Sequence, residues 1–410
     1  MLDYKKIGLY LLEKRKLHNL TQKQLANQLN ISFQAISRWE SGMSIPSVDL
    51  LQDLAKLFQI TVDEILKGED KWPTFSYQLA GVDVSKIDLM NNALKDIVYI
   101  YQYNPAFRGA AYPLDEVLPL KSLQIVSKVQ EPVTKQRLAI EYGYLDELIE
   151  DIICTLINDI LMIGAKPLFI TSSLIVDNMD RQFLEKVVKT FDDKAKKYQI
   201  KRLTGQCAIK KELLHQCLIS STITGILDDS KAIDTRNIRA GDVVLAIGSN
   251  GIHHYGYSLI DSLINTFPQI KKEVIDDHGF IDEIMKVQFC YYDCLIDLFE
   301  KKMLKGAVNI SGCGFPRNLK RVIPEGLCAK IDLAKIVLPK IFHCLKAYLK
   351  VSDNEMLNTF NCGVGYLVIV SPDKQETVMD HINQSFLCYK IGEIKTGTTK
   401  IDLINHLNWN

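Results

Sequence analysis

The stretch Thr21–Gly42, TQKQLANQLNISFQAISRWESG, decides the fold of the first part of the chain. Thr21 is a good N-cap, and Gln24 stands where a capping box needs it. Leu25, Ala26 and Leu29 form a narrow apolar stripe at helical spacing. Asn30 leaves the helical region at low cost, and Ser32 caps the next helix. Ile36 and Trp39 place a second stripe on that helix, which runs to Gly42, a C-cap candidate. Phe33, Gln34, Ser37 and Arg38 are left on the outer face. A small residue, Ala26, at a helix crossing and a polar second helix suit a reader of the DNA major groove.

The stretch resembles the Cro/repressor (Xre-type) helix-turn-helix family over residues 7–66, with SRWESG and IPSVDLLQDLAKLFQITVDEIL typical of it. The resemblance implies DNA contacts by Gln22, Ser32, Gln34 and Ser37. Gln22 would hold a phosphate and Gln34 an adenine edge. Phe33 and Arg38 join them from the outer face, with Arg38 placed to touch phosphate or a neighbouring acid.

The formal net charge of the 410 residues is zero, so no global basic signature points to nucleic acid. The charge is nevertheless arranged. Lys5, Lys6, Lys14, Arg15, Lys16, Lys23 and Arg38 crowd the first half of the N-terminal domain, and Glu40, Asp49, Asp53, Asp63, Glu64, Glu69 and Asp70 the second. One face could meet phosphate while the other turns away. The ten cysteines contain no CxxC pair. Cys290 and Cys294 are expected on one helix face as packed thiols in a reducing cytoplasm. No apolar run is long enough to span a bilayer, so no membrane partner is expected. The opening, MLDYKKIGLYLLEKRKLHNL, reads as the first helix of the DNA-binding domain rather than a targeting peptide.

After residue 70 the pattern changes. Strands are expected at 123–129, 168–175, 218–226, 243–247, 307–310, 328–331 and 365–369, and helices at 145–163, 181–198, 257–265, 281–301 and 341–350. The expected organisation is a helix-turn-helix domain (1–68), a linker (69–76) and an α/β region in two domains, 77–235 and 236–410. The fold class is therefore multidomain, an all-α unit followed by α/β.

Six strings carry a second resemblance: YQLAGVDVSKID (77–88), TLINDILMIGAKPLFI (155–170), GSNGIHHYGYSLI (248–260), ISGCGFPRNLKRVIP (310–324), NTFNCGVGYLVIV (358–370) and YKIGEI (389–394). Their order and spacing resemble aminoimidazole ribonucleotide synthetase, the phosphoribosylformylglycinamidine cyclo-ligase of purine synthesis. The resemblance implies a homodimer whose N-terminal halves build a shared β-barrel, with nucleotide bound beside it. Gly248 with Gly251, and Gly312 with Gly314, permit turns whose N–H groups can face a phosphate. A lone His253 between a turn and a helix is more often structural, but the family places a histidine there.

The sequence departs from that family at its acids. The family loop SGTDGVGTK reads SKVQEPVTK at 127–135, which keeps Ser127, Thr134 and Lys135 but puts Lys128, Gln130, Glu131 and Val133 where the aspartate and three glycines stood. A second loop, GGETAEMP, reads TGQCAIKK at 204–211, so that Gln206 and Ile209 replace glutamates. A further aspartate falls near Ser172, whereas Asp159 beside Asn158 is kept. Magnesium wants carboxylate oxygens, so no metal ligands are assigned and magnesium is not expected. Lys128 with Lys135, and the added Lys210 and Lys211, suit an anion without metal.

The expected ligand residues are Ser127, Lys128, Gln130, Thr134, Lys135, Asn158, Asp159, Gln206, Gly251, His253, Gly312 and Gly314. If catalysis survives, Lys135, Asp159 and His253 carry it. Three readings are open: a regulator that binds a double-stranded operator as a homodimer and senses a nucleotide-like ligand such as ATP; an active cyclo-ligase with a DNA-binding extension; and a repressor whose enzyme-like region only dimerises.

Overall fold

The computed structural model describes residues 2–18, 20–58, 60–69, 123–177, 180–209, 217–310 and 314–409, together with the strand pairs at 103–104 and 109–110. The string at 77–88, most of the expected linker, Gly312, Lys210 and Lys211 lie outside them. The chain divides into two compact units, Met1–Val84 and Ser85–Asn410.

The described residues of the first unit form five helices: α1 (Tyr4–Leu17), α2 (Gln22–Gln28), α3 (Phe33–Glu40), α4 (Val48–Phe58) and α5 (Val62–Lys67). The caps are those the side chains call for. Thr21 and Gln24 close a capping box on α2, and Thr61 and Glu64 another on α5. Ser32 caps α3, and Asn30 takes φ 52° in the turn between α2 and α3. Ile7, Leu11, Leu25, Ile36, Trp39, Leu54, Phe58 and Ile65 form the buried core. Ala26 is buried too, but the tightest approach is at Gly8 on α1, where a Cβ would stand 2.3 Å from the Trp39 carbonyl oxygen.

The second unit contains two larger sheets. Its strands are β1 (Tyr103–Asn104), β2 (Gly109–Ala110), β3 (Leu123–Gln130), β4 (Lys166–Val176), β5 (Lys201–Ile209), β6 (Leu218–Asp228), β7 (Val243–Gly248), β8 (Val274–Ile275), β9 (His278–Gly279), β10 (Gly306–Asn309), β11 (Leu327–Asp332), β12 (Val364–Val370), β13 (Cys388–Thr396) and β14 (Ile401–Ile404). The first sheet runs β3-β6-β4-β5, and the second β10-β12-β7-β13-β11-β14. The helices are α6 (Val133–Tyr142), α7 (Leu145–Leu161), α8 (Arg181–Lys197), α9 (Tyr257–Thr266), α10 (Phe280–Met285), α11 (Tyr292–Glu300), α12 (Gly314–Lys320), α13 (Lys340–Leu349), α14 (Asp353–Thr359) and α15 (Gln375–Asn383).

The second sheet is buried on both faces, which is why VVLAI and VGYLVIV read as continuous apolar runs. Val244 and Ala246 face one hydrophobic cluster, and Val243, Leu245 and Ile247 the other. The first sheet differs. Ile219, Ile223, Ile170 and Leu174 face the main core with α7 and α8, while β3 leaves Ile125 75% and Val129 59% exposed on the opposite face.

Three local expectations are corrected. The helix expected at 281–301 is two helices, α10 and α11, separated by the non-helical segment 286–291. Side chains from elsewhere hold that segment open: Asn250 Nδ2 donates to Val287 O (2.7 Å) and Asn158 Nδ2 to Phe289 O (2.8 Å), while Asp151 Oδ1 accepts from Gln288 N (2.9 Å). Cys290 therefore precedes α11, and only Cys294 lies on it. The two loops expected at 127–135 and 204–211 are largely regular structure. Without the glycines, SKVQ continues β3 and VTK begins α6, and Thr204–Ile209 completes β5.

Candidate functional site

In the first unit the outer face of α3 is open. Phe33 is 52% exposed, and Gln34, Ser37 and Arg38 are exposed beside it. Ser32 Oγ accepts from Ala35 N at 3.3 Å and so serves as the cap. Gln22 is directed inward. Its Nε2 donates to Glu40 Oε2 (2.8 Å), which also accepts from Arg15 Nη2 (2.9 Å). Arg15 Nε completes a bidentate pair on Glu40 Oε1 at 2.5 Å, and the carboxylate bond holds the guanidinium above its ordinary pKa against the cost of burial. The positive set shrinks accordingly. Arg15 is internal, Lys14 lies over the Tyr10 ring, and Lys6 pairs with Glu69 at 2.6 Å.

In the second unit, strand parity sorts the expected ligand residues. Directly opposed residues share a face. Lys128 is opposite Ile223 and Gln130 opposite Ser221, on the face that packs on α7. Ser127 is opposite Thr224, and Gln206 pairs with Ser173, opposite Ser220. Both lie on the other face, away from Lys128 and Gln130.

Lys128, Gln130 and Asp159 come together. Lys128 Nζ stands 3.5 Å from Asp159 Oδ2. Asn309 Nδ2, at the end of β10, donates to Asp159 Oδ1 at 2.8 Å. Tyr255 OH reaches Gln130 Oε1 at 3.5 Å, and burial together with the nearby Asp159 charge pushes this phenol up. Asp159 Oδ2 and Asn309 Oδ1 are buried acceptors with no hydrogen-bond donor. Asn309 and Tyr255 are not among the residues expected from the sequence. Asn309 sits one residue before the ISGCGF string and Tyr255 inside GSNGIHHYG, so both had a signal.

The other candidates make contacts within the fold. Lys135 is buried, with Nζ donating to Asp151 Oδ2 (2.9 Å) and His253 O (2.7 Å). His254 Nδ1 lies 2.7 Å from the same Asp151 oxygen. Burial opposes the Asp151 charge, but Lys135 and His254 outweigh it and hold the carboxyl below the usual range. His253 takes φ 63°, its Nε2 stands 3.1 Å from Asn250 Oδ1, and burial holds its pKa down at about 3. Asn158 binds the non-helical segment on both sides, accepting from Tyr291 N at 2.9 Å. Thr134 Oγ1 meets Ser258 Oγ at 3.2 Å. Gly251 O accepts from Asn361 Nδ2 at 2.8 Å, which ties TFNCGVG to GSNG. Gly314, at φ 71°, leaves no room for a Cβ, which would stand 1.9 Å from Leu357 O.

This donor set does not fit magnesium. Among the described residues no three metal-ligating side chains converge, and Asp159 faces an ammonium. A divalent ion would have to displace that ammonium before Asp159 could bind it. Nor is any described helix long and apolar enough to cross a membrane.

Known proteins agree with this architecture. A helix-turn-helix family matches residues 11–65, the AIR synthase related protein N-terminal domain residues 146–227, and its C-terminal domain residues 239–403. The phosphoribosylformylglycinamidine cyclo-ligase of Staphylococcus aureus (strain MSSA476) is 31% identical over 300 residues, which cover 72% of this chain and 87% of the relative. The chloroplastic cyclo-ligase of Arabidopsis thaliana is 28% identical over 334 residues, covering 80% and 83%. Among solved structures, E. coli HypE superposes with a TM-score of 0.58 at 16% identity, covering 79% of this chain and 97% of HypE. Thiamine-monophosphate kinase from Stenotrophomonas maltophilia gives 0.56 at 13%, covering 78% and 96%. Both show a shared fold. On the cyclo-ligase identity the chain belongs to the phosphoribosylformylglycinamidine cyclo-ligase (AIR synthase) family, carrying a helix-turn-helix domain ahead of the family's two domains.

Proposed function

We propose that the chain is a DNA-binding transcriptional regulator whose synthetase-like region dimerises and holds a nucleotide or purine-pathway ligand, with cyclo-ligase catalysis lost. The observation that supports the loss is Lys128 beside Asp159, on the sheet face that also carries Gln130 and Ser172, where the resemblance places acids. Phosphoryl transfer relies on neutralising charge that develops on the phosphate oxygens, and a carboxylate already paired with an ammonium is poorly placed to hold a metal for it. DNA binding is supported by the open face of α3. Dimerisation is supported by the exposed apolar side chains of β3, which a second copy would cover. A dimer would present two recognition helices about one or more DNA turns apart. A ligand would bias that spacing only by binding the two arrangements with different affinity.

The test is an assay of purified protein with formylglycinamidine ribonucleotide, ATP and magnesium, following ADP and aminoimidazole ribonucleotide. No turnover is expected, together with retention of a selected operator. Turnover on the order of one per second or more would establish the second reading, an active cyclo-ligase with a DNA-binding extension. The observation favouring that reading is the 31% identity to a cyclo-ligase across 87% of its length.

Three further outcomes are expected. Replacing Gln34 by alanine should cost about 1–3 kcal/mol of operator binding and relax preference at one base position. Arg38→Ala should weaken binding to all sequences and lower the salt slope by about one; competition with random DNA at two salt concentrations separates them. The double variant Ile125→Lys, Val129→Lys should shift the protein from dimer to monomer in light scattering and weaken operator binding with it. Burying each such side chain is worth about 1.5–3 kcal/mol, so dimer dissociation should rise at least about a hundredfold.

A further inference from the structure

We propose that Lys128 is a built-in cation at Asp159, and that this cleft takes the phosphate of a nucleotide-class ligand without a divalent metal. The proposal rests on the ligand-binding reading above and deepens it.

Lys128 lies on β3, an edge strand of the first sheet, and its parity aims it toward α7 rather than toward the open face. Its ammonium stands 3.5 Å from Asp159 Oδ2, and its side chain is 48% exposed. An ammonium carries three donors. One direction faces Asp159, and the exposure leaves the others to the cleft. The strand positions beside it are neutral among the described residues. Gln130 is in register with Ser221, which is in register with Ser172, and the two serine hydroxyls bond each other at 3.1 Å. The Asp159 carboxylate is matched by the Lys128 ammonium, so a phosphate that reaches Lys128 meets a cation beside a compensated acid. A wall of several carboxylates would repel it unless a metal came too.

The second feature concerns the ligand's other end. Asp159 Oδ2, met by the Lys128 ammonium at ion-pair distance, and Asn309 Oδ1 are buried acceptors without a hydrogen bond, on two residues already joined by the Asn309 Nδ2 bond to Asp159 Oδ1 at 2.8 Å. Buried acceptors of this kind are ordinarily satisfied. An amine or hydroxyl of a bound nucleotide, placed beside the phosphate held by Lys128, supplies those donors. The chemistry recognised is thus an anion and a hydrogen-bond donor on one small molecule.

The experiment is calorimetric titration of the full chain with ATP, ADP, AMP and inorganic pyrophosphate, each in EDTA and in magnesium. At least one nucleotide is expected to bind with the same affinity in both, within about a factor of two, and pyrophosphate more weakly for want of the donor end. Lys128→Ala should weaken binding in EDTA by about ten- to a hundredfold, and Lys128→Arg should retain it. Lys128→Asp should make binding dependent on magnesium. Thermal melts of each variant show that the fold is kept. Binding that appears only with magnesium, or Lys128→Ala binding as the parent does in EDTA, overturns the proposal while leaving a ligand receptor. No binding of any probe in either buffer overturns the proposal and the receptor reading together.

Discussion

Replacing Asp151 by alanine is expected to lower the stability of the synthetase-like region by about 3–5 kcal/mol, read as a fall in melting temperature on the order of 10 °C. The Asp151 carboxylate is fully buried and serves three partners: Lys135 Nζ, His254 Nδ1 and the backbone N–H of Gln288. Without it, Lys135 keeps a charge in the core with the His253 carbonyl and the Tyr257 ring, but no counter-ion, to meet it. The double variant Lys135→Met, Asp151→Leu removes both charges and should cost less than Asp151→Ala alone, because the penalty lies in the stranded ion. If the double variant were the worse of the two, packing rather than charge would govern the site.

The same cluster sets an acid sensitivity. His253 is held at about 3, against about 6.5 in an unfolded chain. The unfolded state therefore binds the proton first, so stability is complete above about pH 6.5 and falls as pH drops toward 3, by at most about 1.4 kcal/mol per unit. Asp151 has the opposite chemistry and the same direction. Its lowered pKa contributes stability above the usual carboxylate range and loses it only in stronger acid. Denaturant midpoints between pH 7 and 4 should slope downward, and His253→Asn, which tolerates the left-handed backbone, should flatten that slope.

The second large effect is expected in the helix-turn-helix unit. Glu40→Ala removes the acceptor of Arg15 Nε, Arg15 Nη2 and Gln22 Nε2 together. Arg15 is buried, so its guanidinium is left unpaired at a cost of about 3–5 kcal/mol. A unit of this size has about that much stability in all. The expected result is loss of operator binding with an unchanged melting transition for the rest of the chain. Gln22→Ala breaks one neutral-donor bond to the same carboxylate and should cost about 1.5–3 kcal/mol. Operator binding that survives Glu40→Ala would mean that the pair is dispensable for the fold of α1 and α3.

Much of this was legible because it is local. Thr21, Ser32 and Thr61 bond backbone N–H groups within three residues, and Asn30 turns the chain by its own conformational tolerance, so these helix ends follow from short spacings. The strands VVLAI and VGYLVIV were legible because a sheet covered on both faces demands apolar residues at every position. Strand β5, with Lys201, Arg202 and Gly205 in it, offered no such run, and β13 carries a register shift between Lys390 and Gly392 that blurs its alternation. The residues of the cleft were legible as a group but not as individuals. Ser127 and Lys128 are neighbours in sequence, yet one step along a strand turns a side chain to the opposite face.

By itself, then, the sequence determined what neighbours within a few residues decide: the capped helices of the first unit, the fully buried strands, the outward Phe33, Gln34, Ser37 and Arg38, and the family with its missing acids. The tertiary structure alone decided which polar side chains are spent on the fold. Gln22 goes to Glu40, Lys135 to Asp151, and Asn158 to Phe289 and Tyr291, across separations of 18, 16, 131 and 133 residues. The same long-range bonds broke the helix expected at 281–301, since an outside carboxylate or amide competes for backbone groups that helical propensity alone would have paired within the segment. A buried polar group must find a partner wherever the fold brings one, and no local pattern specifies where that is.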